Sequence, residues 1–485
     1  MKHLLALRPV FICIDILLML IGCIGFYIVP AGFDPWVGWT CLIIFYTLSA
    51  TLLSFPAGLT ARLPVLLTTE LAFTLFFFIL FFLPYQQDLL GILDFAASTR
   101  LSYTYPRQAN AALIIATLSY SAFHLGALLN RAKPAQGLPT PKESLGSYVI
   151  IDMILPLLLI FGCVGYKFAG FQPADTSRYS GQSAGTEAGS VVADGLYTVI
   201  LTLCLLVITR FIVVRARGSR GAPMLWLGML AVIVWSLQIL IAGDRNNFLI
   251  VALAGFGGMA SLLVRVRLPM VLMSIVLAFS VYNAIEVIRM APAEDVTSVL
   301  TTLENSSAKQ DERESSFNTT TITLRAALEI VPATIGFAKG SFFANGVLGI
   351  VPLVRGYINP DPRFNTTSSL ITYYTIGPYA GWSVGTNVIS DTYINFGLAG
   401  VVICSLGIGL LIGTTRKAVQ RHGLGTRTAF LFIGTIGLIG EMPRYTLDSP
   451  IRIVVWGYAI LFVLEATVGL HRRTQAMTDN HATSR

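Results

Sequence analysis

Apolar stretches long enough to form membrane-crossing helices recur along nearly the whole chain, separated by short polar breaks. About 20 residues of helix cross the ~30 Å of a bilayer's hydrocarbon, and only helices or closed barrels can do so, because lipid offers backbone groups no partner. The strict apolar and polar alternation of barrel strands is absent, so the pattern predicts an all-α polytopic protein. The runs place about twelve transmembrane helices near 9–30, 36–55, 63–84, 109–130, 148–168, 190–213, 222–242, 248–264, 267–289, 387–414, 427–441 and 451–470. One connection breaks the rhythm, 291–386, giving helices 1–9 over 1–290, one large loop, helices 10–12 over 387–470 and a tail over 471–485.

Charge then orients the bundle. Only 12% of the 485 residues are charged, against roughly 25% in soluble domains, while 54% are hydrophobic and mean hydropathy is +0.71. Lys2, Arg8, Arg62, Arg131, Lys133, Lys142, Arg215, Arg217, Arg220, Arg265, Arg267, Arg416, Lys417, Arg421, Arg427, Arg472 and Arg473 fall on alternate connections. The positive-inside rule makes that side cytoplasmic, with both termini expected there. The net charge of +8 therefore reports orientation, and nucleic acid is not expected as a partner. All six cysteines lie inside apolar runs, with no CxxC pair and no disulfide framework. The first run is too long for a signal-peptide core and is expected to stay as the first span.

The large loop then lies on the outer, periplasmic side, and loops of roughly this length are usually functional or disordered. Its first part, AEDVTSVLTTLENSSAKQDERESS, is charged and poor in aromatics. The second has helical spacing at Leu324, Leu328 and Val331 and is expected to fold back over the outer mouth. Three Asn-x-Ser/Thr triplets between Asn305 and Asn365 would matter only in a eukaryotic secretory context. There is no internal repeat of two six-span halves, and the interior charges noted, Asp15, Glu70, Asp152 and Glu465, form no obvious relay.

Outward arginines need explaining because positive-inside bias works against them. IAGDRNNFLI puts Arg245 at the start of an inward-running span, where unpaired N–H groups and the helix dipole favour an anion. The plainer reading has Asp244 cap the helix and Arg245 anchor it at the headgroups. Arg289, Arg355, Arg363, Arg444 and Arg452 lie in separate outer segments that a bundle can bring together. A pair with Glu286 is the plain alternative for Arg289, and a pair with Glu329 makes Arg325 structural. Converging arginines suit a pyrophosphate. No metal and no cofactor is expected, since the outer segments hold no His and no carboxylate pair at ligand spacing. His124, inside the fourth span, reads as a helix-packing residue. Asp391 leads the acid/base candidates, ahead of Glu441 and Asp448, with a helix-dipole partner as its plain alternative. Beside it, Tyr393 and Asn395 offer hydrogen bonds and Gly397 a close helix contact. Tyr357, Tyr373, Tyr374, Tyr379 and Trp382 could stack on sugar rings or anchor the interface.

Three segments resemble the Wzy-type polymerases of bacterial O-antigen and related oligosaccharide repeat units, a superfamily shared with the O-antigen ligases. AGDRNNFLIVAL looks like the family's Gly-Ser-Arg-Gly run, with Arg245 in the Arg position. GSFFANGVLGIVPLVRGYINPDPRFN is similar to its basic, Pro-containing loop segment, and SDTYINFGLAG to its final signature. Ser390 and Asp391 stand where the ligase branch has a His-Asn pair, which favours the polymerase branch. The resemblance implies a GT-C-like membrane glycosyltransferase, acting at the periplasmic face without metal. It would transfer a growing glycan from undecaprenyl pyrophosphate to a sugar hydroxyl of one lipid-linked repeat unit. Its partners would be undecaprenyl-pyrophosphate-linked oligosaccharides, membrane lipid and a chain-length regulator protein. A ligase of the same superfamily, or a non-enzymatic flippase or exporter of lipid-linked sugars, are the alternatives. Export would require a polar path through the bundle, and the inner halves of the spans are too apolar to encourage it.

Overall fold

The computed structural model describes residues 2–54, 68–92, 101, 103–131, 149–171, 188–218, 223–242, 244–264, 269, 273, 316–351, 365–378, 383–444 and 446–483. Among them the only regular elements are helices: α1 (Lys2–Ile28), α2 (Pro35–Ser54), α3 (Thr69–Phe81), α4 (Leu83–Leu89), α5 (Ala109–Leu129), α6 (Val149–Phe168), α7 (Ala188–Ala216) and α8 (Pro223–Ile241). They continue with α9 (Arg245–Leu262), α10 (Ser316–Ile330), α11 (Ser341–Leu348), α12 (Thr367–Thr375), α13 (Val388–His422), α14 (Thr426–Glu441) and α15 (Asp448–Thr483). Helices stand at eleven of the predicted spans, and of the remaining one, 267–289, only positions 269 and 273 are described. Eight helices are long and apolar enough to cross a membrane, or nine if the bent pair α3 and α4 is one span. The predicted spans at 248–264 and 427–441 fall short on length. A 16-residue helix such as α14 rises only about 24 Å.

The central seam joins α5 to α13, which run parallel. Ser119 bonds Ser405 (2.8 Å) near the middle, and Asn130 Nδ2 donates to Leu410 O (2.8 Å) further along both helices. Between these points the backbones nearly touch: a Cβ on Gly409 would lie 2.2 Å from Phe123 O, and one on Gly126 2.3 Å from Leu406 O. Lipid tails are as apolar as leucine, so spans gain by close packing and interhelical hydrogen bonds, and small residues permit that approach. One apolar core gathers α1, α2, α3, α5, α10 and α13, and a second gathers α6, α7, α8, α9, α14 and α15. Helix α10 is part of the first core, with Ile322, Leu324, Ala326, Ala327 and Val331 buried. The sequence placed this segment over the mouth of the bundle. Its apolar face packs there among the span ends: Thr321 donates to Leu80 O (2.9 Å) at the end of α3, and Asn387, just before α13, donates to Thr320 O (3.3 Å).

Buried acids inside these cores each have a basic partner. Asp152 accepts from Arg210 Nε at 2.7 Å, Glu70 from Arg416, and Asp15 from His124 Nδ1 at 2.7 and 2.9 Å. His124 also meets the Thr51 hydroxyl through Nε2, so it is a partner for an intramembrane carboxylate as well as a packing residue. Unpaired charge in a low-dielectric core is costly, which accounts for the pairing. Arg325 is structural as expected, through other groups: its Nε donates to Tyr85 Oη (2.8 Å) and its guanidinium lies over the Tyr85 ring. Glu329 instead accepts from Gln108 at 2.8 Å.

These contacts sort the loops to two ends. One end holds Arg8, Arg131, Arg217, Arg416, Lys417 and Arg421, with the beginning of α1 and the far part of α15. It is called the basic end below. The other end holds the starts of α7, α9, α13 and α15 and the end of α14.

Two outcomes test the packing. Gly409→Leu is expected to lower the Tm of detergent-solubilised protein, overpacking costing about 1–3 kcal/mol or more. Gly407→Leu, whose Cβ meets nothing within 4 Å, should leave it nearly unchanged. Asp152→Leu strands Arg210 and is expected to cost about 3–5 kcal/mol. Adding Arg210→Leu should restore much of the loss, as read by thermal unfolding.

Candidate functional site

Helix α9 begins as its sequence dictates. Asp244 is the N-cap, its side chain accepting from Asn247 N at 3.2 Å, which satisfies one of the orphan donors of the first turn. The same carboxylate accepts from Asn247 Nδ2 (2.6 Å) and Tyr197 Oη (2.8 Å), so α7 fixes where α9 starts. Arg245 is the first residue of the helix, and its side chain lies outside the described part. Next to it, Asn246 Oδ1 accepts from Arg444 Nη1 at 3.3 Å. Arg444 thus comes to the beginning of α9 from the turn between α14 and α15. Arg289, Arg355 and Arg363 lie outside the described residues. Arg452 is opposed by Asp194, 2.9 Å away, which removes it from the set of uncompensated arginines.

Helix α13 begins beside this point. Asn387 caps it by accepting from Ser390 N (2.8 Å), and its amide donates to Thr323 Oγ1 (3.2 Å) and Thr320 O (3.3 Å) of α10. One turn on, Asp391 is buried, with 5% of its surface exposed. It accepts from Thr367 Oγ1 (2.8 Å) of α12 and from Leu447 N (3.2 Å) of the turn that carries Arg444. Val388 N donates to Pro443 O at 3.2 Å, a second tie to the same turn. Of the secondary acids, Glu441 ends α14 and is buried, and the Asp448 side chain lies outside the described part.

Asn395, Phe396 and Gly397 end the first part of α13. Gly397 has φ +66° and ψ −158°, a conformation that L residues with a Cβ rarely adopt, so the helix breaks there. The break frees carbonyls that the loop then takes up. Ala338 N donates to Ile394 O (2.9 Å) and Gly340 N to Asn395 O (3.2 Å). Asn395 also works through its side chain, which donates to Asp391 O (2.8 Å) and accepts from Phe343 N (3.3 Å) in the first turn of α11. Phe396 lies against Gly340, where a Cβ would meet its ring at 2.8 Å. The sequence assigned Gly397 a close helix contact; the structure makes it a helix break that docks the loop. Tyr393 faces the other way, its hydroxyl donating to Val331 O (3.3 Å) and its ring packing on Phe26 and Phe337. Tyr373 and Tyr374 pack edge to face in α12, while Tyr357, Tyr379 and Trp382 lie outside the described residues.

Asp391, Asn395, Arg444 and the α9 start are therefore joined through a few hydrogen bonds, although they come from three chain regions. Sequence reasoning missed Tyr197, Asn246, Asn387 and Thr367. Asn387 carried a usable signal, since an Asn just before a long apolar run reads as an N-cap. Nothing local marks the other three. Among the described residues no three His, Cys, Asp or Glu side chains gather to hold a metal ion.

Neither the curated proteins nor the solved structures contain a match to this chain. A profile of the family described as O-antigen polysaccharide polymerase Wzy matches residues 10–468, which takes in α9, the loop helices and α13 together. With nearly its whole length matched, from the first span to the last, the chain belongs to the Wzy family of O-antigen polysaccharide polymerases.

Proposed function

We propose that this membrane polymerase transfers a growing glycan from undecaprenyl pyrophosphate to the sugar hydroxyl of one lipid-linked repeat unit. We place the reaction at the end of the bundle where α9 and α13 begin, and take that end to be periplasmic. The observation that carries the reading is the contact of Arg444 with Asn246, which brings a second cation to the helix N-terminus opened by Arg245. As the glycosidic bond breaks, negative charge accumulates on the leaving pyrophosphate. Fixed guanidinium groups and unpaired helix N–H groups stabilise that charge without reorganisation, in place of a metal ion. Arg289, Arg355 and Arg363 belong to the same proposed phosphate-binding set, alongside Arg444 and Arg245.

Asp391 has two roles open to it. As general base it would take the proton from the acceptor hydroxyl. Its hydrogen bonds from Thr367 and Leu447 support a positioning role instead, since they tie it to α12 and to the turn that carries Arg444. On that reading Asp391 holds the turn that presents Arg444, while Asn395 and Gly397 hold the loop. Tyr393 then contributes packing at the loop root. The far loop aromatics remain proposed sugar contacts, and a chain-length regulator a proposed partner.

Arg245→Ala, examined by lipopolysaccharide gel, is expected to replace the polymer ladder with a single-repeat species. The expected loss is about 100-fold in rate, the scale of removing one preorganised donor; an unchanged ladder would remove Arg245 from the mechanism. For Asp391→Asn, the pH profile of polymerisation by purified protein separates the roles. A positioning residue leaves the profile's shape intact with lowered activity, whereas loss of the rising limb identifies the base.

A further inference from the structure

At the basic end, the last turns of α13 and the end of α5 surround a cavity of about 390 Å³, lined by Asn130, Thr414, Lys417, Ala418, Arg421 and His422. Asn130 is held from the α13 side, its Nδ2 donating to Leu410 O (2.8 Å) and Thr414 Oγ1 (2.5 Å). That leaves its Oδ1 as an acceptor, and Lys417 Nζ donates to it. The ammonium is thereby kept at the wall of the cavity instead of extended into solvent. Arg8 of α1 reaches the same region, donating to Leu129 O at 2.8 Å, and lies within Coulombic reach of Lys417 together with Arg421 and Arg416.

Positive charge here exceeds what the fold uses. Arg416 is neutralised by Glu70. The cavity lining contains no carboxylate, and among the described residues Arg8, Lys417 and Arg421 form no ion pair. Crowding extends to Arg131, just beyond α5. Burial, with Arg416 and Arg8 adding to it and Glu70 opposing, pushes its guanidinium down to about 10. Basic residues in a last helical turn complement the helix dipole, which accounts for Arg421 and His422. It does not account for Lys417, which is set back from that turn, or for Arg8 on another helix. Clustered like charges repel, and an anion in the cavity relieves that repulsion.

The surroundings specify the anion's source. Leu7 (45%), Val10 (52%), Leu129 (43%) and Leu411 (38%) are exposed on the helix faces next to these cations, so apolar surface adjoins the basic rim. A ligand with an anionic head and acyl chains matches both surfaces, and the cavity falls within the roughly 300–1,000 Å³ of small-molecule sites. We propose that this pocket binds the phosphodiester headgroup of an anionic glycerophospholipid. Lys417, Arg421 and Arg8 contact the phosphate, and the Thr414 hydroxyl is placed to bond the polar head. The site lies at the opposite end of the bundle from Arg245 and does not depend on the reaction proposed there.

Short-chain phosphatidylglycerol titrated into the purified, detergent-solubilised full-length protein tests this through Tm. The wild type is expected to gain a saturable rise in Tm that neither short-chain phosphatidylcholine nor inorganic phosphate reproduces. In Lys417→Gln/Arg421→Gln the midpoint should move about 30-fold higher, the scale of losing two surface cations. Arg427→Gln removes a charge at the same end from a half-exposed pair with Glu465, and should leave the midpoint in place. An unmoved midpoint in the double variant, an equal shift in Arg427→Gln, or an equal rise from inorganic phosphate overturns the proposal. Should the double variant not fold, Arg8→Gln with native mass spectrometry decides it: loss of co-purifying anionic lipid supports the site, and retention equal to wild type refutes it.

Discussion

Hydrocarbon gives polar groups no partner, so a charge or an interrupted helical turn buried in this bundle is costly unless the protein itself supplies one. The buried acids Asp15, Glu70 and Asp152 show this most directly, each paired with a basic side chain from a different helix. The helix ends obey the same constraint. Asp244 and Asn387 satisfy the first turns of α9 and α13, and each also ties its helix to a neighbour. At Gly397 the freed carbonyls of Ile394 and Asn395 are taken up by the loop at Ala338 and Gly340. A break that would be costly in lipid becomes the point at which the loop docks.

The two ends of the bundle use charge differently. At the end where α9 and α13 begin, most polar groups tie segments together, and Arg444 arrives at the α9 start because Asp391 and Val388 hold its turn. In the reaction proposed above, cations positioned in advance would serve a pyrophosphate leaving group, since stabilisation of developing charge is greatest when no reorganisation is required. At the basic end the cations line a cavity with no carboxylate in its wall, beside exposed apolar faces. One set of charges suits chemistry on a lipid-linked substrate, and the other suits contact with the surrounding bilayer.

Much of this was open to reading from the chain alone, for a definite reason. Apolar length is set by bilayer thickness, so span positions are local properties and helices stand at nearly all the predicted places. The cap at Asp244 is equally local, since it needs only an acceptor three residues before its donor. The near approach of α5 and α13 was not legible, because Gly126 and Gly409 look like any other glycines until the backbones that face them are known. Arg210 shows the intermediate case. A charge inside an apolar run announces that a partner exists, but only the packing of α6 on α7 identifies it as Asp152. Helix α10 was legible as a helix but its partners were not, since spacing reveals an apolar face without showing what it will meet.

The sequence by itself determined the helical spans, their alternation between two ends, the Arg245 helix start and the family signature, because these depend on residues close together along the chain. Only the tertiary structure decided that Arg444 reaches Asn246, that Asp391 holds the Arg444 turn, and that Gly397 opens its helix to the loop. Those contacts join residues far apart in the chain, and their partners are chosen by which helices pack together once each buried polar group has found its match.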